Sequence, residues 1–517
     1  MATIRLRIYC GICSFATSWR ERYRKGGAEV VSDKVDREDI QGLLASGYDH
    51  LDYASFIFLQ VTNCAKARCW LASVADKVTN AEHPGNNRSK NSFNLALTFK
   101  GIEALGVASD SIKGFSHEFI AGMNRPEAAT ILGDNGPSEQ GNWEFGARET
   151  ERDKPIHILV LLYAECEKSM HDFVLDLDLV APELIGLQQI YRQEATRKPG
   201  DRTEPFGFRD GISQPSVIGL IGRRARGDLI KTGEFVLGYE DGKRLKSRIP
   251  AIDAWHDPAG YLADHPDYPN DQRVFGLNGT YLVFRKLSQD VTRFWDYVDS
   301  QAGGDPQRRE LLAARMVGRW RSGAPLVLAP KKPGAEPLNE FLYTPTDPDG
   351  LACPIGSHIR RINPRDSLPT STSRSLEISN RHRIIRRGRK YRIPIDCEQE
   401  CRDQGIYFIA LNADLLRQFE FIQYSWLNNP QFNGLDNDKD PIVGDSDGHT
   451  QFTIQATPIN CHVKGVPRFV TMKGGGYFFL PGIRTLRFLA HYEPARARSQ
   501  SAQPSSSPAD AASGPRR

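Results

Sequence analysis

The sequence predicts an α+β protein made of two units of similar plan. Short apolar runs of strand length alternate with helical stretches, that alternation occurs twice, and the strands lie far apart in the chain. A doubly wound parallel sheet would instead set βα units one close behind another. Taken in order, Asp39 or a neighbour caps a short helical turn, and residues 56–61 form a continuous apolar strand. The stretch SFNLALTFKGIEALGV predicts a helix from an N-cap at Ser92 to a stop at Gly106. Residues 157–164 and 234–239 predict two more strands, and the Pro-, Asp- and Gly-rich AIDAWHDPAGYLADHPDYPNDQR marks a long loop or domain boundary. Order then restarts. NGTYLVFRKL from Asn278 predicts a strand, SQDVTRFWDYV from Ser288 a capped helix, GIYFIALNA from Gly405 a strand, DLLRQFEFIQYSWL from Asp414 a helix, and GGGYFFLPG at 474–482 a last strand. The domains expected are 34–265 and 266–493, after an irregular leader at 1–33 and before a Ser-, Ala- and Pro-rich disordered tail at 494–517.

Composition narrows the class. The 517 residues include 39% apolar and 25% charged, the balance of a soluble globular chain, and a net charge of +4 gives no global bias toward nucleic acid or anionic membrane. No apolar run approaches the ~20 residues of a membrane-spanning helix. Nine scattered cysteines do not form a disulfide framework, and neither Cys10 with Cys13 nor Cys397 with Cys401 has histidines at zinc spacing. The early arginines and short apolar patch imitate an export signal, but Gly and Cys break the patch and no clear cleavage site follows, so a cytoplasmic protein is expected.

Chemistry concentrates in three segments. GFRDGISQP places one carboxylate, Asp210, between Gly207 and Gly211. CPIGSHIRRINPRD sets His358 after a tight turn and before Arg360, Arg361 and Arg365; an imidazole beside guanidinium groups suits a haem, which needs one axial ligand and carries two propionates, and suits an acidic protein partner equally. RHRIIRRGRKY reads as a solvated basic face, although Ile384 and Ile385 would allow Arg386 to turn inward. DNDKDPIVGDSDG imitates a calcium loop for five residues, but Pro441 falls where the turn glycine belongs, so a solvated acidic loop is expected.

Together the three segments resemble the dye-decolorizing peroxidase family. GFRDG matches its G-x-x-D-G signature, GSHIRRINPRD its proximal-histidine segment and IIRRG its distal-arginine segment. Supporting matches run from about Asp36 to Tyr492, among them NGTYLVFRKLSQDV, MVGRWRSGAPL and GGGYFFLPGI, and the long spacers suggest one of the larger subgroups. Lys390, Tyr391 and Arg392 depart from the Pro-Tyr-Gly-like turn usual after the distal arginine.

The resemblance implies two ferredoxin-like domains of the dimeric α/β-barrel type, antiparallel sheets flanked by helices, with one haem b per chain between them. It implies a peroxidase that reduces hydrogen peroxide and oxidises bulky aromatic, dye-like or phenolic reductants by one-electron steps. Asp210 would take and return the peroxide proton and Arg386 would stabilise the charge developing on the departing oxygen. His358 would be the axial iron ligand, with Asp414 or Glu420 as the carboxylate behind it. Arg360, Arg365, Gly207 and Gly211 would contact the cofactor, the glycines by admitting its close approach. Trp320, Tyr391 and Trp426 are candidate surface relays for electrons, though as ordinary core aromatics they would look the same. An aspartate of ordinary pKa ~3.9 predicts activity in acid, where an imidazole base would already be charged. No nucleic-acid or membrane partner is implied, and a homo-oligomer is compatible. The rival readings are a haem carrier or sensor on the same scaffold and, with haem set aside, a nucleic-acid surface.

Overall fold

The structure is a computed structural model and describes residues 34–82, 89–112, 114–220, 229–247, 249–334, 336–394 and 401–492. The leader at 1–33, Cys10, Cys13, Cys397 and the tail at 494–517 lie outside the described residues.

The first half runs β1 (Tyr53–Val61), α1 (Cys64–Val74), β2 (Asn91–Leu97), β3 (Ile158–Ala164), α2 (Glu167–Asp176) and β4 (Leu187–Thr196). The second runs β5 (Thr280–Gln289), α3 (Val291–Ala302), α4 (Pro306–Val317), α5 (His358–Ile362), β6 (Ile385–Arg386), β7 (Arg389–Pro394), β8 (Cys401–Asn412), two π-helical turns at Leu415–Glu420 and Ile422–Leu427, β9 (Val470–Leu480) and α6 (Ile483–His491). Each half has the βαββαβ order of a ferredoxin-like unit, and every pairing among the nine strands is antiparallel.

The two halves form one sheet in the order β6–β8–β5–β9–β2–β3–β1–β4, with β7 also paired to β8. The ladder pair Phe479 with Leu97 joins their strands, and a parallel bridge of Phe145 with Gly474 lies beside it. β7 also packs against β4, curling the sheet round on itself. Both faces are buried, which explains why the strands read as continuous apolar runs. In β1, Ile57 and Leu59 face the helices with Leu71 and Val74, while Phe56 and Phe58 turn inward. There Phe284 of β5 meets Phe56 at 5.4 Å and Phe58 at 5.1 Å, and Tyr407 of β8 meets Phe56 at 5.6 Å between ring centres, so aromatic rings from both halves fill the interior.

Two predicted elements differ. The helix expected from Ser92 is instead β2, followed by a short helix Phe99–Ala104 capped by Thr98. Pairing of Asn91 through Leu97 with β3, buried on both faces, outweighs the helical propensity of this leucine- and alanine-rich stretch. The strand expected at 234–239 is a 3-10 turn at Thr232–Glu234 followed by irregular backbone, because no neighbouring strand is in place to pair with it. The expected boundary loop carries a small antiparallel sheet of Ala251–Asp253, Ala263–Asp264 and Gln272–Val274.

Candidate active site

A large cavity lies on the outer face of the second half's strands. Its empty volume, solvent at the mouth included, is about 2030 Å³. The sheet contributes Leu287, Ile406, Phe408 and Met472 as an apolar floor, and α5 and the π-helical turns contribute Ile359, Ile362, Phe419 and Ile422 opposite. A π-helical ladder adds a residue per turn and suits a segment that must widen around a cavity.

His358 lines one wall, as the first residue of α5. Ser357 before it is fully buried, and its hydroxyl donates to the Arg315 carbonyl at 2.5 Å. The His358 Nδ1 lies 3.0 Å from Oδ2 of Asp440, a fully buried carboxylate. Asp440 Oδ1 accepts from the amides of Ile442 and Val443, both at 2.9 Å. Burial works against the charge on Asp440, but His358, the Val443 amide and Arg361 more than offset it and hold the carboxyl below its ordinary value. With Nδ1 occupied, His358 has its Nε2 left for a ligand in the cavity.

The carboxylate behind the histidine is therefore neither Asp414 nor Glu420. Asp414 caps the first π-helical turn, accepting from the Arg417 amide at 2.9 Å and its Nε at 3.2 Å. Glu420 is committed to Nη2 of Arg125, 2.7 Å from both of its oxygens, and to the Tyr477 hydroxyl at 2.7 Å. Asp440 comes from the stretch expected to be a solvated acidic loop. The signal there was the apolar Ile442 and Val443 after Asp440 and Pro441, which bury the turn.

Asp210 and Arg386 line another part of the same cavity and also a polar vestibule beside it. Asp210 Oδ1 lies 3.7 Å from Arg386 Nη1 and accepts from the Gly211 amide at 2.6 Å. Gln214 fastens the two segments: its Nε2 donates to the Arg386 carbonyl and its Oε1 accepts from the Arg386 amide, each at 3.0 Å. Gly211 has a φ of +77° and open space where a Cβ would be. Gly207 does not face the cavity; a Cβ there would meet the Arg321 guanidinium at 2.7 Å, so its role is to pass that side chain rather than a cofactor.

The arginines after His358 divide. Arg360 is fully buried away from the cavity, paired with Asp347 at 3.1 Å and donating to the Cys353 carbonyl at 2.8 Å, and so is not a cofactor contact. Arg361 donates to the carbonyls of Trp426 at 2.5 Å, Asn429 at 3.2 Å and Asp438. Arg365 does line the cavity, anchored to the Phe341 carbonyl at 3.0 Å. Nor is RHRIIRRGRKY a solvated face. Arg387 donates to the Leu43 and Leu44 carbonyls, and Arg389 to those of Gly47 and Tyr48, tying the second half to the first.

None of the three aromatic relay candidates reaches the surface. Trp320 is 4% exposed with its indole N–H on the Ala329 carbonyl, and Trp426 is 5% exposed against Phe421. Tyr391 is 2% exposed, stacked on Tyr407 at 4.4 Å and donating to Asp403 Oδ2 at 2.9 Å.

The cavity fits a haem chemically. Among its lining residues the Tyr343 hydroxyl, Asn363 Nδ2 and Arg285 Nη1 are buried donors with no hydrogen-bond partner, an arrangement that calls for acceptors such as carboxylates. One imidazole nitrogen is free for a space floored by the apolar Leu287, Ile406, Phe408 and Met472. Among the described residues no group of three or more His, Cys, Asp or Glu side chains could hold a bare metal ion. No helix among them is long and apolar enough to cross a membrane.

Comparison with known proteins agrees with this chemistry. No family model matches the chain. It is 28% identical over 491 residues to a dye-decolorizing peroxidase of Exidia glandulosa, covering 89% of this chain and 88% of that one. It is similar to the crystal structure of a fungal DyP-type peroxidase from Auricularia auricula-judae, with a TM-score of 0.71 and 25% identity over 88% of this chain and 99% of that one. A dye-decolorizing peroxidase in complex with 2,6-dimethoxyphenol is similar too, with a TM-score of 0.70 and 26% identity over 88% of this chain and all of that one.

Proposed function

The chain belongs to the dye-decolorizing peroxidase family, and from that premise we propose which of its residues run the reaction. It is a haem peroxidase that reduces hydrogen peroxide and oxidises dyes and phenols. The finer assignments are our own reading: one haem b per chain, which His358 would hold through its Nε2, with Asp210 and Arg386 lining another part of the same cavity. The observation that carries this is one cavity lined by His358, backed by Asp440, and by the Asp210–Arg386 pair. When bound, haem supplies an iron that accepts oxidising power from peroxide and passes it on one electron at a time.

The residues of this chain do the rest. Asp440 holds the imidazole with its proton on Nδ1, leaving Nε2 as a lone pair, and its charge makes that nitrogen a stronger donor. Asp210 is a carboxylate with the Gly211 amide on one oxygen and the Arg386 guanidinium near it, so it takes the proton from the near oxygen of peroxide and returns it to the far one. The Arg386 guanidinium stabilises the charge that builds on the leaving oxygen. The vestibule that reaches Asp210 and Arg386 admits a molecule the size of peroxide. Activity is expected on the acid side, where a carboxylate still accepts a proton.

Replacing Asp210 with Asn in the haem-loaded protein should preserve the resting absorption spectrum and slow its response to peroxide by about 100-fold or more. An unchanged response would remove Asp210 from the reaction. Dye turnover by the wild type separates a peroxidase from a haem carrier. Cytoplasmic location is likewise a proposal, tested by fractionating cells.

A further inference from the structure

We propose that Glu204 is the positioning residue for Asp210: its carboxylate holds the turn that carries Asp210, ties that turn to β5, and sets a second acidic group beside Asp210. This rests on the peroxidase reading of the same cavity.

Glu204 opens the loop EPFGFRDG and lines both the large cavity and the polar vestibule. Its Oε1 accepts from the Phe208 amide at 2.8 Å, and its Oε2 accepts from the Phe206 amide and from Gln289 Nε2, both at 2.9 Å. The backbone closes the same turn, with the Gly207 amide donating to the Glu204 carbonyl and the Glu204 amide to that of Phe208. Two of these side-chain bonds fix the loop that ends in Asp210, and the third ties the loop to β5 of the other half. All three partners are donors, and the two carboxyl oxygens accept them all. A glutamine would turn an NH2 toward at least one of them.

The charged groups around this carboxylate are mixed. Its own loop brings Asp201, Arg202, Arg209 and Asp210; the β6–β7 segment brings Arg386 and Lys390, the latter paired with Asp201. β5 brings only the neutral Gln289 at contact, with Arg285 farther along the cavity and paired to Asp134. Burial, the largest influence, and the charge of Asp210 leave the Glu204 carboxyl above its ordinary value, although the bonds from Gln289, Phe208 and Phe206 pull it down. Such coupling is mutual: whatever Asp210 does to Glu204, Glu204 does to Asp210.

The test uses the full-length, haem-loaded protein as wild type, Glu204→Gln, Glu204→Asp and Gln289→Leu. The first readout is the pH dependence of the rate at which peroxide changes the absorption spectrum. The second is the dissociation constant of cyanide against pH, by spectral titration; hydrogen cyanide binds as the anion, so its proton passes to the distal carboxylate. Glu204→Gln should move the acid limb of both profiles down by roughly half to one pH unit, the scale on which neighbouring charges move a carboxylate. Glu204→Asp and Gln289→Leu keep the charge and loosen the turn, and should lower the plateau rate about ten-fold or more. Limbs that superimpose on wild type together with plateaus within about two-fold overturn the proposal. Should Glu204→Gln not take up haem, plateaus in the other two variants within about two-fold of wild type overturn it. A wild type whose spectrum ignores peroxide refutes the peroxidase reading instead, and the cyanide profiles then decide Glu204 alone.

Discussion

An asparagine at position 440 would keep nearly the whole outline of the aspartate and reverse its effect. Its amide would face the His358 Nδ1 with a proton of its own, which favours the tautomer protonated on Nε2, the nitrogen needed for iron. Asp440→Asn should therefore weaken haem binding by about 10- to 100-fold in a titration of the apoprotein, while the fold survives because Oδ1 can still accept from Ile442 and Val443. This residue also marks where the sequence falls short. His358, Asp210 and Arg386 each sit in a short signature, and all three reach one cavity. The carboxylate partner lies 82 positions away from His358, in a loop whose Asp and Gly content reads as solvated, and only the folded chain shows that Asp440 is buried.

At the scale of elements, the π-helical turns and the loop after them exist as a seat for that aspartate. Arg361 reaches from α5 to the carbonyls of Trp426, Asn429 and Asp438, pinning both ends of the loop that leads to Asp440. Removing it would strand buried carbonyls at a cost of about 1–3 kcal/mol each. Arg361→Met should lower the urea midpoint clearly and, with His358 less firmly backed, speed haem loss to an acceptor protein. Elements were legible in the sequence where the pattern was long and apolar: β1, β3, β5, β8 and β9 all stand at predicted runs. They were not where tertiary pairing decides. Residues 92–97 carry helix formers yet lie between strands, and 234–239 carry strand formers yet have no strand to join. Arg387 and Arg389 misled for a related reason, since a guanidinium that caps backbone carbonyls is as much a structural part as a surface charge.

Across the whole molecule, stability should depend on acid through a neutral histidine. The His157 Nδ1 accepts from the Val61 amide at 3.0 Å, which requires the unprotonated ring, and burial, with Lys100 adding to it, lowers its pKa to about 4. Above the unfolded value of 6.5 both states are neutral and the group costs nothing. As pH falls from 6.5 towards 4 the unfolded chain takes up a proton that the folded one refuses, so stability declines through that window, by up to about 3 kcal/mol. Urea midpoints at about pH 7.5 and pH 4.5 should show the decline, and His157→Gln should reduce it. The expected acid optimum of the chemistry therefore pulls against the acid tolerance of the fold.

The seam between the halves has one more consequence. His358, Asp440, Arg386 and the apolar floor all belong to the second half, whereas Asp210 and Glu204 hang from the first and reach it across the seam. Pigment and turnover are thus supplied by different parts of the chain. A preparation in which the join has slipped would still come off the column red, and would be idle.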